Sequence, residues 1–274
     1  MLIKMKKTKK TKNKILKKKS SKKQLITGKT PLMAVVRINP EAGMILFEAG
    51  LHCIGCGGAA FETLEQGCIM HGMSKANIKK LLIKLNKMKK VYLIHGWGGD
   101  SQQGWFNPLK KILEKEGIKV LAKDMPDTFN PKIDNWINKL KSDIKQPDEE
   151  TYFIGHSIGC QTIMRYLEKL PENIKIGGCV FVAGWFHLTD ETWDEEYTKE
   201  IAEPWINTSI NFDKIKSHTK RFLLIASEDD PYVPLSDSKL FKQKLGAEIM
   251  IEKNQGHIEE LNEREINKIL NFLK

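Results

Sequence analysis

The chain has 274 residues, 41% of them hydrophobic and 8% aromatic, with 45 Lys and Arg against 34 Asp and Glu. That composition can bury a core, which excludes wholesale disorder, and no apolar run approaches the ~18–20 residues that cross a bilayer. The lysine-rich start lacks the apolar h-region of a secretory signal, so the expected location is the cytoplasm.

Residues 1–23, "MLIKMKKTKKTKNKILKKKSSKK", hold 12 lysines and no acidic residue. Without them 33 basic residues face 34 acidic ones, so the net charge of +11 belongs to this segment and the remainder is balanced. The segment reads as a solvated, disordered tail, because its like charges repel and it has little apolar surface to bury. Nucleic acid is expected as a partner only weakly and salt-dependently, through the tail.

Residues 24–88 read as a small helical domain. "TPLMAVVRI" offers Thr30 as an N-cap with Pro31 at the first helical position. "NPEAGMILFEAG" repeats the signal with Asn39 and Pro40, and Gly50 serves as a stop. "GGAAFETLEQG" predicts a third short helix. "SKANIKKLLIKLNKMKK" predicts a fourth, with Ile78, Leu81, Leu82 and Leu85 on one face.

Five cysteines are too few for a disulfide scaffold in a chain this long. Cys160 and Cys179 fall in apolar segments and read as inert core residues. Cys53 and Cys56 form a Cys-x-x-Cys pair just before a helical stretch, whose free N–H groups favour a thiolate. The rival is a zinc set of Cys53, Cys56, Cys68 and His71. A continuous helix over 57–67 would part Cys56 from Cys68 by roughly 15–18 Å, too far for one metal, which favours redox chemistry over zinc.

The segment also resembles a known family. Residues 26–88 are similar to the hybrid-cluster-protein-associated redox disulfide domain, through "HCIGCGGAAFETLEQGCIMHGM" and "LLIKLN". The resemblance implies a dithiol/disulfide pair at Cys53 and Cys56. Such a pair would work with a thiol redox partner, and Cys68 reads as a resolving thiol, a sulfur-carrying thiol or a buried residue.

From residue 91 short apolar strands alternate with amphipathic helices. The strands are "VYLIHG", "IKVLAKDMP", "TYFIGHS", "GGCVFVAGW", "RFLLIASEDDP" and "AEIMIEK". The helices are "NPLKKILEKEG", "IDNWINKLKSDI", "IGCQTIMRYLEKL", "DSKLFKQKLG" and a last one in "ELNEREINKILNFLK". Such runs suit a parallel sheet covered on both faces, so residues 91–274 are expected to be an α/β domain.

Ser157 sits in Gly155-His156-Ser157-Ile158-Gly159, between a strand and a helix. Gly-x-Ser-x-Gly in that setting is a nucleophile elbow, which lifts the hydroxyl above the sheet at a helix N-terminus. The fold then requires an acid and a histidine, in that order, on loops after later strands. "RFLLIASEDDPYVP" supplies Asp229 and Asp230, and "AEIMIEKNQGHIEE" supplies His257. Asp230 is preferred because the Asp-Pro-Tyr-Val-Pro run resembles the acid loop of many hydrolases of this fold, and Asp229 is the alternative. The backbone N–H groups of Trp97, in "HGWGG", and of Ile158 are the candidate oxyanion hole. His156 reads as the variable elbow position and His95 as a loop brace. Trp185, Trp193 and Trp205, within residues 184–205, suit either a small lid or ordinary packing.

Residues 91–274 also resemble the small α/β serine hydrolases typified by retinoblastoma-binding protein 9. The resemblance is carried by "HGWGG", "GHSIG", "FDKIKSHTKRFLLIASEDDPYVP" and the late "GH". It implies an α/β-hydrolase-like sheet, a Ser157–His257–Asp230 triad, and hydrolysis of an ester, thioester or amide of a small-molecule, acyl or peptidyl substrate. No cofactor and no resident metal are expected. The competing reading is a non-catalytic α/β binding module, with the cysteine domain as the working redox or zinc unit.

Overall fold

The computed structural model describes residues 25–39, 42–52, 62–192 and 196–274. The chain divides into two compact units, Met1–Asn86 and Lys87–Lys274.

The first unit is helical: α1 (Leu32–Ile38), α2 (Ala42–Glu48), α3 (Leu64–Met70) and α4 (Lys75–Leu85). Its core joins Leu32, Leu46, Leu64, Cys68, Leu81 and Leu85. The start of α1 is one residue later than expected: Pro31 is the extended N-cap, and Thr30 Oγ1 accepts from the Thr27 N–H instead. Gly50 stops α2 with φ +88, a conformation open to glycine.

The third helix differs more. The expected helix over 57–67 does not run through, because Thr63 is extended (φ −83, ψ 159) and caps α3 in a capping box with Gln66. Leu32 N–H donates to Glu62 O and Leu64 N–H to Thr30 O, so residues 62–64 pair with the start of α1. A Thr followed three residues later by Gln is a start signal, and it outweighs the helix propensity of "AAFETLE".

The second unit holds a sheet of six parallel strands in the order β2-β1-β3-β4-β5-β6. They are β1 (Lys90–Ile94), β2 (Lys119–Ala122), β3 (Thr151–His156), β4 (Gly178–Val182), β5 (Phe222–Ser227) and β6 (Glu248–Glu252). Alternate residues face opposite ways. Phe153, Phe181 and Leu224 join a core with α6 (Ile133–Asp143), α7 (Ile158–Glu168), α9 (Phe212–His218) and α10 (Asp237–Leu245). Ile154, Val180 and Ile225 join another with α5 (Phe106–Lys115) and α11 (Glu263–Leu273). The α/β fold with helices on both faces is therefore observed. Helices α8 (Glu196–Asn207) and α9 had no counterpart in the sequence reading.

The chain leaves β1 toward β2 on one side and returns to β3 on the other. This reversal is where open parallel sheets gather ligands, beyond the carboxyl ends of the strands.

Candidate active site

Beyond the ends of β1 and β3 lies a cavity of about 430 Å³, lined among others by Trp97, Ser157, Trp185, Tyr232 and His257. Ser157 follows β3 directly and adopts φ 52, ψ −122. A non-glycine residue pays for that backbone with roughly 1–3 kcal/mol, which the surroundings must offset. They do so by pinning both sides. Ser157 N–H donates to Val182 O (3.0 Å), and Cys160 N–H donates to Ser157 O (3.0 Å).

The two elbow glycines are required by close approach. A Cβ at Gly155 would lie 2.8 Å from the Cys160 nitrogen, and one at Gly159 only 2.3 Å from the Ile94 carbonyl oxygen. Helix α7 thus starts hard against the end of β1, with Ser157 as its N-cap residue.

Asp230 and His257 arrive from the turns after β5 and β6. His257 Nδ1 lies 2.8 Å from Asp230 Oδ2 and 3.1 Å from Oδ1. Their side chains are 12% and 3% exposed, so the pair is shielded from water while the ring still reaches the cavity. Asp230 Oδ1 also accepts from the N–H groups of Tyr232 and Val233, which fixes the carboxylate. A ring edge of Tyr232 meets His257, with centroids 5.3 Å apart.

Asp229 does something else. Its Oδ1 accepts from Ser227 Oγ and from the N–H groups of Gln255 and Gly256, tying the turn after β5 to the turn after β6. The hydroxyl of Ser227, chiefly, holds its carboxyl below the usual range.

The loop after β1 is pinned to its neighbours. Gly98 N–H donates to Thr128 O, and Trp97 Nε1–H to Phe129 O. His95 is buried inside the loop: Nε2 accepts from Met125 N–H (2.9 Å), which leaves Nδ1–H to donate to Gly96 O (2.8 Å). Burial pushes this imidazole down, in keeping with a neutral brace. Among the described residues, neither Trp97 N–H nor Ile158 N–H has a protein acceptor.

Of the three tryptophans in 184–205, Trp185 is buried and walls the cavity, whereas Trp205 packs on Trp136 in the core and donates to Pro131 O. Trp193 lies outside the described residues. Leu188, Thr192 and Thr198 complete that wall. Two features escaped the sequence reading: Asp237, which accepts from the Phe186 and His187 N–H groups and holds this strap, and the contact between His156 and the His257 backbone. Neither has a local signature, since the partners are about 50 and 101 residues apart.

In the helical unit, Cys53 and Cys56 lie outside the described residues. Cys68 is a free, fully buried thiol, and burial first, then the charge of Glu65, pushes its pKa up. Since α3 begins at Leu64, a continuous helix no longer sets the distance between Cys56 and Cys68. No described helix is long and apolar enough to cross a membrane.

Residues 91–264 match the serine hydrolase family, and residues 26–82 match the family described as Domain of unknown function (DUF1858). The Bacillus subtilis protein YdeN is 32% identical over 169 residues, which cover 62% of this chain and 85% of YdeN. The rat serine hydrolase RBBP9 is 27% identical over 185 residues, 66% of this chain and 93% of that protein. The crystal structure of the B. subtilis ydeN product superposes with a TM-score of 0.61 at 29% identity, over 68% of this chain and 98% of that one.

Proposed function

The chain belongs to the serine hydrolase family, and from that premise we propose that it is an esterase-like acyl hydrolase working through Ser157, His257 and Asp230. The observation that carries this reading is the Asp230–His257 pair at 2.8 Å, on the wall of the cavity that Ser157 also lines.

A serine hydroxyl is a weak nucleophile until a base takes its proton. With Nδ1–H donating to Asp230, His257 keeps Nε2 as the free lone pair, the tautomer a base needs. Ser157 Oγ attacks the carbonyl carbon, and its proton passes to Nε2. The Asp230 carboxylate stabilises the imidazolium that forms. The carbonyl oxygen, now negative, is met by the N–H groups of Trp97 and Ile158, which have no other acceptor among the described residues. His257 then returns the proton to the leaving group, the acyl-enzyme remains on Ser157, and water enters by the same route in reverse.

Esters, thioesters and amides all present the required carbonyl. The cavity walls of Trp97, Trp185, Leu188 and Tyr232 suit an apolar acyl group. The test is labelling by a fluorophosphonate probe. Ser157→Ala abolishes labelling and His257→Ala reduces it sharply; undiminished labelling of Ser157→Ala refutes the assignment.

For the helical unit we propose a thiol/disulfide pair at Cys53 and Cys56 that modulates the hydrolase, acting with a thiol redox partner in the cytoplasm. The Cys-x-x-Cys spacing of the pair supports this. Labelling rates that differ between oxidised and reduced protein are expected. Equal rates in both, and in the double change Cys53→Ser with Cys56→Ser, exclude modulation.

A further inference from the structure

The turn that carries His257 is held by hydrogen bonds at two successive carbonyl groups, and closely approached at a third, by residues outside the triad. His156, fully buried beside Ser157, has Nε2 3.0 Å from the carbonyl oxygen of His257. A carbonyl can only accept, so Nε2 carries the proton. Nδ1 is then a lone pair, and the side-chain amide of Gln103 donates to it at 3.3 Å. Burial, more than the neighbouring His257, pushes this imidazole down to about 3, which keeps the neutral tautomer in place.

The next carbonyl, of Ile258, accepts from Trp105 Nε1–H at 3.1 Å. The Trp105 ring in turn stands edge-on to His156, with centroids 6.0 Å apart. At the third, a Cβ on Gly104 would come within 2.4 Å of the Glu259 oxygen, so segment 103–105 is closed down on the turn. Between these anchors Ile258 has φ 54. That is an outlier for a β-branched residue, and it persists only where the surroundings over-determine it.

We propose that His156, supported by Gln103 and Trp105, is a positioning residue that sets the reach of His257 to Ser157. The proposal rests on the reading of His257 as the base. Its physical content is the shortness of the link. His156 and Ser157 are joined by one peptide bond, so a single hydrogen bond ties the backbone of the base to the nucleophile's own turn. Without it the turn after β6 loses its tie at the residue that carries the imidazole, and that residue can shift although the neighbouring ties remain. A displacement of about 1 Å is enough to cost on the order of 100-fold in rate.

The experiment measures kinact and KI for a fluorophosphonate probe with His156→Phe, His156→Gln and Trp105→Phe. Phenylalanine keeps the ring volume and loses the donor; glutamine places an amide N–H near the position of Nε2. The expected kinact falls about 100-fold in His156→Phe with KI within about twofold, and returns to within about fivefold of wild type in His156→Gln. Trp105→Phe is expected to lose about tenfold.

Absence of Ser157-dependent labelling in the wild-type protein removes the reading of the base, and this proposal with it. Robust wild-type labelling with kinact in His156→Phe within about threefold of it overturns the positioning role alone. Equal losses in folded His156→Phe and His156→Gln overturn it too, because the donor is then not what matters. Should His156→Phe fail to fold, Trp105→Phe decides, and an unchanged kinact in that variant overturns the proposal.

Discussion

The two units hold their reactive residue types in opposite settings. In the hydrolase unit Ser157, Asp230 and His257 stand on turns just past strand ends, where backbone bonds fix Ser157 and Asp230 and a cavity reaches Ser157 and His257. In the helical unit Cys68 points inward among Leu32, Leu46 and Leu64, with its thiol pKa raised by burial. A side chain's chemical potential as a nucleophile is thus decided by where its element ends. A strand tip offers both rigidity and exposure; the middle of a short amphipathic helix offers one or the other.

The comparison is sharpened first by the two adjacent aspartates. Asp230→Asn leaves the geometry but loses the carboxylate facing His257, and kinact for the fluorophosphonate is expected to drop about 10³–10⁴-fold. Asp229→Asn, which loosens a brace rather than the pair, should cost less than about tenfold. Comparable losses would mean that the strand-tip setting does not distinguish acid from brace.

Next come the glycines. Gly159→Ala places a methyl 2.3 Å from one backbone oxygen and 2.7 Å from another, and should destabilise the hydrolase unit by about 3 kcal/mol or more. All six tryptophans lie in that unit, so urea unfolding followed by tryptophan fluorescence reads it separately.

Acid is the third probe. His156 titrates near 3 when folded against 6.5 as an ordinary histidine, so between those values the unfolded chain binds a proton that the folded chain does not. Stability of this unit therefore falls as pH drops below about 6.5, by up to about 1.4 kcal/mol per pH unit for this residue. His95, lowered by burial as well, adds in the same direction. Urea midpoints at pH 7.5 and pH 5 measure the slope, and His156→Gln should flatten it.

The smallest effect belongs to the helical unit. Gly43, inside α2, has no described atom within 4 Å of where a Cβ would stand, and no positive φ. Gly43→Ala should stabilise the unit by about 0.5–1 kcal/mol, read by circular dichroism at 222 nm.

Much of the hydrolase unit was legible because its signals are local. Six apolar runs became six strands, and Gly155, Ser157 and Gly159 marked the elbow through requirements that neighbouring backbone imposes. The order Asp230 then His257 followed from strand succession. What stayed hidden depends on distant partners. His156 looked like a free choice between Gly155 and Ser157, yet its ring is fixed by a carbonyl 101 residues away. Helix α8 lies largely in a stretch read for its tryptophans rather than its periodicity, and α9 in one read for its likeness to the hydrolase family. In the helical unit, "AAFETLE" favoured one helix by propensity, and the bridge between Pro31 and Thr63 overrode it.

The sheet order has one more consequence. Among the described residues β6, which leads into the turn of His257, pairs with β5 alone, whereas β3, which leads into Ser157, is flanked by β1 and β4. The turn of His257 therefore rides on a margin and that of Ser157 on the centre. Partial opening of the margin needs less free energy than global unfolding, so displacement of the His257 turn ahead of global unfolding is the expected order of events. Amides of β6 should exchange with deuterium ahead of those of β3, and labelling of Ser157 should fade at lower urea than the tryptophan signal does.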